Sequence, residues 1–429
     1  MSEITMEQKV EIKRRMDLIT RNTREIIDIE KIEDLVREQV VNGGRKPRLY
    51  IGFEPSGLCH FGWQLVCHKI RDYLDADVDV TIFFADWHAQ INNKLGGHLD
   101  DIRVCAEYMK DAFESLGVPR DKVNYVFASE IMDQDYWGIV IRIGSVTTED
   151  RVKRAMTIMG RKAGRDTLNA VMFMYPLMQP ADIFRMDMDI GYGGLDQRRA
   201  HMLARESADK LSNMDAERLE ADALERLLSK GVPLEEARHV AAELSTEIAR
   251  KMWKSPAAIH TDLVPGLKAM SRMNPQDSKM SKSKPDAGIL IHDSENEIMR
   301  KFSKAFCPMP GEFDNTEVDA DMTDTGDVDS QSGNPVLKIA ELLLFRDGKS
   351  LEYTKPQRFG GETLVFGSFK ELEKAYMDGL HPNDLKAIVG KGVADALAPS
   401  REYFERNHEN LDKFKTILER MAARGEARR

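Results

Sequence analysis

Lys279, Lys282 and Lys284 crowd into "DSKMSKSKPDAG", residues 277–288, where Ser278, Ser281 and Ser283 alternate with them and Pro285 blocks a long helix. Like charges this close repel, so the run suits either a solvated surface loop or a clamp for a polyanion. A second stretch, "YIGFEPSGLCHFGW" (50–63), carries His60 between turn-forming glycines. Here an apolar strand runs into Glu54-Pro55-Ser56-Gly57 and then into a helical pattern. Gly52, Pro55, Gly57 and Gly62 therefore frame a strand-to-helix turn whose free backbone N–H groups suit phosphate. A third, "YPLMQPADIFRMDMDIGYGGLDQRRAHMLARE" (175–206), joins a glycine pair to a carboxylate and an amide in Gly193-Gly194-Leu195-Asp196-Gln197.

The elements around these stretches predict an α/β protein. "RLYIGF" (48–53), "DVDVTIFFADWHA" (77–89) and residues 123–128 read as strands, and 101–116 as a helix. Strands alternating with helices imply a doubly wound parallel sheet of Rossmann type, whose ligands bind beyond the carboxyl ends of the strands. Residues 1–45 read as an amphipathic helical segment ending at Asn42-Gly43-Gly44. A charged helical hairpin is expected over 206–256, broken at Gly231-Val232-Pro233. Residues 311–332 hold eight acids and no lysine or arginine, in a spacing that does not match a calcium loop. They read as an acidic loop between a catalytic domain (46–310, with the lysine loop at 277–285) and a helical domain (333–429).

At 429 residues the chain exceeds one compact core, so two or three domains are expected. A 42% hydrophobic and 31% charged composition fits a soluble globular protein, and no apolar run reaches the length of a membrane span. The charged N-terminus lacks a signal-peptide core. Cys59, Cys67, Cys105 and Cys307 lack metal-type spacing and read as reduced thiols of a cytoplasmic protein. The net charge of −10 excludes a basic coat but leaves room for nucleic acid on local basic patches.

Read together, "CHFGW", "GGLDQ" and "KMSKS" in this order resemble the class I aminoacyl-tRNA synthetases, and within them the tyrosyl-tRNA synthetases of archaeal and eukaryotic type. The resemblance spans roughly residues 30–205 and 260–400. It implies a Rossmann-type catalytic domain and a helical domain that reads the anticodon. It implies that Lys279, Met280, Ser281, Lys282 and Ser283 form a mobile loop whose lysines grip the β- and γ-phosphates of ATP. His60 and Gly62 fall on the His-x-Gly-His signature, with His60 donating to the triphosphate. The last signature position is Trp63 rather than histidine, and eukaryotic-type members likewise carry an aromatic residue there. Gly52, Pro55, Gly57 and Gly194 fall among the ATP-binding positions, and Asp196 on the acceptor of the ribose hydroxyls.

For the amino acid, the resemblance pairs Tyr50 and Asp182 with the phenolic hydroxyl of tyrosine. Tyr175 and Gln179 fall on the positions that hold its ammonium, and Gln197 also contacts it. Arg154 and Arg198 match contacts to the first acceptor-stem base pair of tRNA. Within "KPQRFGGE" and "LHPNDLKAIV", Phe359 would stack on an anticodon base while His381 and Asp384 bond its edge. Partners implied are L-tyrosine, tRNA(Tyr) and ATP with Mg2+, with no metal bound by the protein itself and a homodimer as the usual assembly. A tryptophan-specific relative, a non-catalytic RNA-binding descendant and a small nucleotidyltransferase with a similar ATP loop are the alternatives, and the tRNA-type C-terminal region and the length argue against the last. Tyr50 with Asp182 favours a phenol over an indole, and intact His60 and lysines favour catalysis.

Overall fold

The computed structural model of the chain describes residues 4–159, 168–268, 280, 288–310, 333–355, 357 and 360–424. Lys279, Ser281, Lys282, Ser283 and Phe359 lie outside the described residues, as does the acidic run 311–332.

Helix α1 (Met6–Thr20) opens on a reciprocal cap, in which Thr5 Oγ1 accepts from the Gln8 N–H and the Gln8 side chain accepts from the Thr5 N–H. There follow β1 (Glu25–Ile27), α2 (Ile29–Asn42), β2 (Arg48–Phe53), α3 (Trp63–Asp75), β3 (Asp79–Phe84), α4 (Asp86–Ile91) and α5 (Leu99–Ser115). Next come β4 (Asn124–Phe127), α6 (Ala128–Ile131), α7 (Gln134–Ser145), α8 (Glu149–Ala155), α9 (Tyr175–Arg185), β5 (Ile190–Gly194) and α10 (Arg198–Ser229). The order continues with α11 (Leu234–Met252), β6 (Ala257–Thr261), α12 (Glu295–Ser303), α13 (Pro335–Leu343), β7 (Leu351–Thr354) and β8 (Thr363–Phe366). Helices α14 (Phe369–Met377), α15 (Pro382–Ala396), α16 (Ala398–Arg406) and α17 (Glu409–Ala423) complete the described chain.

Six strands form one sheet in the order β1-β6-β5-β2-β3-β4, parallel except for β1. Val80, Ile82, Phe83 and Phe84 of β3 are all fully buried because helices cover both faces of the sheet. From β2 the chain winds outward to β3 and β4, then returns to place β5 against the other side of β2. The carboxyl ends of β2 and β5 therefore flank the point where the winding reverses, which is where such sheets open a ligand crevice.

Three features depart from expectation. The N-terminal segment is not wholly helical, because Glu25, Ile26 and Ile27 pair antiparallel with His260, Ile259 and Ala258 of β6. Three residues carry no period-2 signal, and their partner lies more than two hundred residues downstream. The first arm of the hairpin belongs to a single 32-residue helix, α10, that begins directly after the Gly193–Gln197 turn. Its first half is anchored by buried Ala200, Leu203, Ala204, Ala208 and Leu211. The C-terminal region contains the two-stranded hairpin β7–β8 among its helices. Those helices lean on α5, where Tyr108 stacks on Phe414 at 5.4 Å and the Ser115 and Ser400 hydroxyls meet at 2.9 Å.

Candidate active site

A cavity of about 310 Å³ opens at the carboxyl ends of β2 and β5. Tyr50 and Gly52 enter it from β2, and His60, Gly62 and Trp63 from the turn that starts α3. Tyr175, Gln179 and Asp182 share one face of α9, spaced four and three residues apart, and all point into it. Gly194, Asp196 and Gln197 close it from beyond β5, and Met280 from the start of the lysine loop. The structure thus gathers the described members of the expected amino-acid and nucleotide sets into one space. Pro55 and Gly57 are exceptions, since they are buried in the turn and do not line the cavity.

Two glycines are required by close approach. A Cβ on Gly52 would stand 2.5 Å from the Tyr50 hydroxyl oxygen, because residues two apart on a strand share a face. A Cβ on Gly194 would stand 2.6 Å from Leu263 Cδ2 and 2.8 Å from Asp196 Oδ1. Trp63 also has a defined place. Its ring packs 4.9 Å from Phe53 and 5.0 Å from Phe113, so it walls the cavity as an aromatic brace.

The backbone joins the signature turn to the flanks of the lysine loop. The Phe61 N–H donates to the Ile289 carbonyl (2.7 Å), the Ile291 N–H to the Cys59 carbonyl (3.2 Å), and the Met280 N–H to the Val264 carbonyl (2.7 Å). Segments on both sides of residues 281–287 are therefore tethered to the walls around His60.

At the amino-acid end, Asp182 is the centre of a buried polar cluster. The Tyr136 hydroxyl donates to its Oδ1 (2.8 Å) and the Tyr50 hydroxyl to its Oδ2 (3.4 Å), while His88 Nε2 lies 3.2 Å from Oδ2. Burial pushes the Asp182 carboxyl up, and His88, Tyr136 and Tyr50 offset this only in part, so it stays above the ordinary carboxylate range. The Tyr50 and Tyr136 phenols are pushed up by burial and by the neighbouring carboxylate, so both remain donors. Nearby, the Tyr175 hydroxyl donates to Glu54 Oε1 (2.6 Å) and Gln179 Nε2 to Gln197 Oε1 (3.2 Å). Sequence reasoning passed over His88, Tyr136 and Glu54. His88 carried a usable signal, since it follows the carboxyl end of a strong parallel strand. Tyr136 sits on α7 and carried none.

Beneath the Gly193–Gln197 turn a chain of polar groups runs to the sheet edge. The Arg198 guanidinium pairs with Glu25 (2.9 Å), which lies 2.9 Å from His260 Nδ1, and His260 Nε2 meets His201 Nδ1 at 2.9 Å. Burial holds both imidazoles below their ordinary range. Arg198 is thus engaged within the fold, whereas Arg154 is exposed on α8. His381 caps α15 by accepting from the Asn383 N–H, and Asp384 lies in the first turn. Among the described residues no group of three or more His, Cys, Asp or Glu is placed to hold a metal ion, and no helix is long and apolar enough to cross a membrane.

The sequence profile of the family described as tRNA synthetases class I (W and Y) matches residues 42–398. The chain belongs to this family. Among related class I synthetases, a tyrosine–tRNA ligase of Aeropyrum pernix is 37% identical over 405 residues, covering 92% of this chain and 93% of that protein. The crystal structure of a tyrosyl-tRNA synthetase from Aeropyrum pernix superposes with a TM-score of 0.70 at 35% identity, covering 96% of this chain and 99% of the other. A tyrosyl-tRNA synthetase from Pyrococcus horikoshii in complex with L-tyrosine gives 0.73 at 33% identity, over 94% and 99% of the two chains. The mostly parallel sheet is what the alternation of strands and helices predicted, and the class I synthetase fold with its helical C-terminal region is what the resemblance implied.

Proposed function

We propose that the chain is a tyrosine–tRNA ligase, which activates L-tyrosine with ATP and passes the tyrosyl group to tRNA(Tyr). The observation that carries the reading is the Asp182 carboxylate, buried at one end of the cavity with the Tyr50 hydroxyl beside it. A phenolic hydroxyl donating to Asp182 makes a charge-assisted bond, and a side chain without that hydroxyl leaves a buried carboxylate short of a partner. Sites built this way reject the deoxy analogue by about 10⁴–10⁵, a magnitude for which tyrosyl-tRNA synthetases are themselves the worked case. An indole would bring neither the length nor the donor position that a phenol has, so the tryptophan-specific alternative is not favoured.

In the first step a tyrosine carboxylate oxygen attacks the α-phosphorus of ATP, the bond to the bridging oxygen breaks, and pyrophosphate leaves with Mg2+. In the second, a terminal adenosine hydroxyl of tRNA attacks the tyrosyl carbonyl and AMP leaves. Neither step needs a protein nucleophile; positioning and charge stabilisation suffice. In this scheme Tyr175 and Gln179 hold the ammonium, Gln197 contacts the amino acid, and Gly52, Gly62 and Gly194 admit the nucleotide. Asp196 accepts from the ribose, and His60, Lys279 and Lys282 meet the phosphates. The tether of Met280 and Ile289 beside His60 supports that assignment of the lysines. The magnesium enters as part of the nucleotide substrate.

The tRNA roles of Arg154, Arg198, Phe359, His381 and Asp384 belong to the same proposal. So do a catalytic part over 46–310, an anticodon-reading part over 333–429, a homodimer and a cytoplasmic location. The test is amino-acid-dependent exchange of pyrophosphate into ATP. Tyrosine should support exchange and tryptophan should not; exchange driven by tryptophan alone would reverse the assignment.

A further inference from the structure

Asp182 presents about four lone-pair directions, and groups of the protein already occupy several of them. His88 stands out because the substrate reading gives it no part. It is 1% exposed, lines the cavity, and reaches the same Oδ2 that faces Tyr50. Its ring is held edge-on to Tyr175 (5.1 Å, 87°) and to Phe83 (6.0 Å, 83°), which places Nε2 3.2 Å from the carboxylate but off hydrogen-bond alignment, and leaves both buried ring nitrogens without a hydrogen-bond partner among the described residues. Helix α4 itself is pinned by Asp86, whose Oδ2 accepts from the Ser129 hydroxyl and whose Oδ1 accepts from the Trp87 and Ser129 N–H groups.

We propose that His88 is a positioning residue for side-chain specificity. Its Nε2–H holds Asp182 as an oriented, ionised acceptor for the phenolic hydroxyl of the substrate. The inference rests on the tyrosine-ligase reading and names the residue that makes the hydroxyl test work. A buried carboxyl deprived of its partners takes up a proton. A protonated Asp182 satisfies itself against a neighbouring oxygen, and the penalty for admitting phenylalanine shrinks. Five titratable groups face or adjoin Asp182: Tyr50 from β2, Tyr136 from α7, His88 from α4 and, beyond the His88 ring, Tyr175 of α9 with Glu54 behind it. Of these, His88 supplies the one basic side chain among the described residues.

The test compares pyrophosphate exchange with tyrosine and with phenylalanine in His88→Leu, His88→Gln and the unmodified protein. His88→Leu should lose about 10–100-fold of its preference at pH 7, the size of one hydrogen bond to a charged group. It should regain part of that preference as the pH is raised, because removing a partner pushes the buried carboxyl further up. The amide of His88→Gln can still donate, so its loss should be smaller. Preference unchanged in His88→Leu overturns the proposal. So does an equal loss in both variants with no pH dependence, which is the mark of a merely structural residue. Should His88→Leu fail to fold, nitrogen NMR of the unmodified protein decides: a proton on Nε2 is required, and a bare Nε2 overturns the proposal. A protein that exchanges no pyrophosphate with tyrosine overturns the ligase reading as well, whereas normal tyrosine exchange indifferent to His88 overturns this inference alone.

Discussion

The Phe61 N–H donates to the carbonyl of Ile289 at 2.7 Å, sewing the His60 turn to the segment that follows the lysine loop. Two motifs more than two hundred residues apart thereby share a wall.

Replacing Lys282 by alanine should therefore lower the rate of tyrosyl-adenylate formation by about 10²–10³, the usual loss for one group that stabilises transition-state charge. Tyrosine affinity should stay within about twofold, because the contact strengthens as pyrophosphate departs. Single-turnover kinetics separate the two, and an unchanged rate would remove the loop from catalysis.

Asp182→Ala should erase the preference for tyrosine over phenylalanine. It also strands the Tyr50 hydroxyl in a buried space, at a cost of about 1–3 kcal/mol where no water replaces the carboxylate, whereas the Tyr136 hydroxyl keeps the Met178 carbonyl (3.1 Å) as its acceptor. Exchange assays with the two amino acids read the first effect, and thermal unfolding reads the second.

Gly52→Ala places a methyl 2.5 Å from the Tyr50 oxygen. Either the ring or the strand must shift, and overpacking of this kind costs about 1–3 kcal/mol. The displaced hydroxyl should raise KM for tyrosine. A variant with wild-type KM and unfolding temperature would show that the Tyr50 side chain has room to yield.

Asp215 anchors the hairpin of α10 and α11. It accepts from Arg142 (2.6 Å) and from Trp253 Nε1 (2.7 Å), and the Arg142 guanidinium lies over the Trp253 ring at 4.7 Å. Asp215→Ala should leave tyrosine activation near wild type while exposing residues 216–233 to limited proteolysis. Unaltered cleavage kinetics would mean that the apolar contacts hold the arm without it.

Acid should begin to destabilise the fold below about pH 6.5, above the ordinary carboxylate range. Burial pushes the imidazoles of His68 and His292 down to about 3, with Arg346 and Arg71 adding to the effect at His68 and Lys415 at His292. In the unfolded chain both titrate near 6.5. Between these values the unfolded state binds the extra proton, so stability is fully present above about pH 6.5. It is lost as pH falls toward 3, by up to about 1.4 kcal/mol per pH unit for each ring. His292→Gln can keep a hydrogen bond to Tyr108, which now meets His292 Nε2 at 2.9 Å. It should flatten the fall in unfolding temperature between pH 6.5 and 4.5; an unchanged slope would place the protons elsewhere.

By itself the sequence determined the class of chemistry and the alternation of strand and helix. Residue types at short spacing, such as Gly193-Gly194 before Asp196 or His60 beside Gly62, are local facts, and strands such as β3 announce themselves through unbroken apolar runs. Only the tertiary structure decided that Asp182 is a shared acceptor, because Tyr50, His88 and Tyr136 reach it from three other elements. It alone showed that Glu25 of a three-residue strand pairs with Arg198, and that Trp63 braces Phe53 and Phe113. Except for Trp63 with Phe53, these contacts join positions dozens to hundreds of residues apart, and no periodicity along the chain records which side chains the winding of a sheet will bring together.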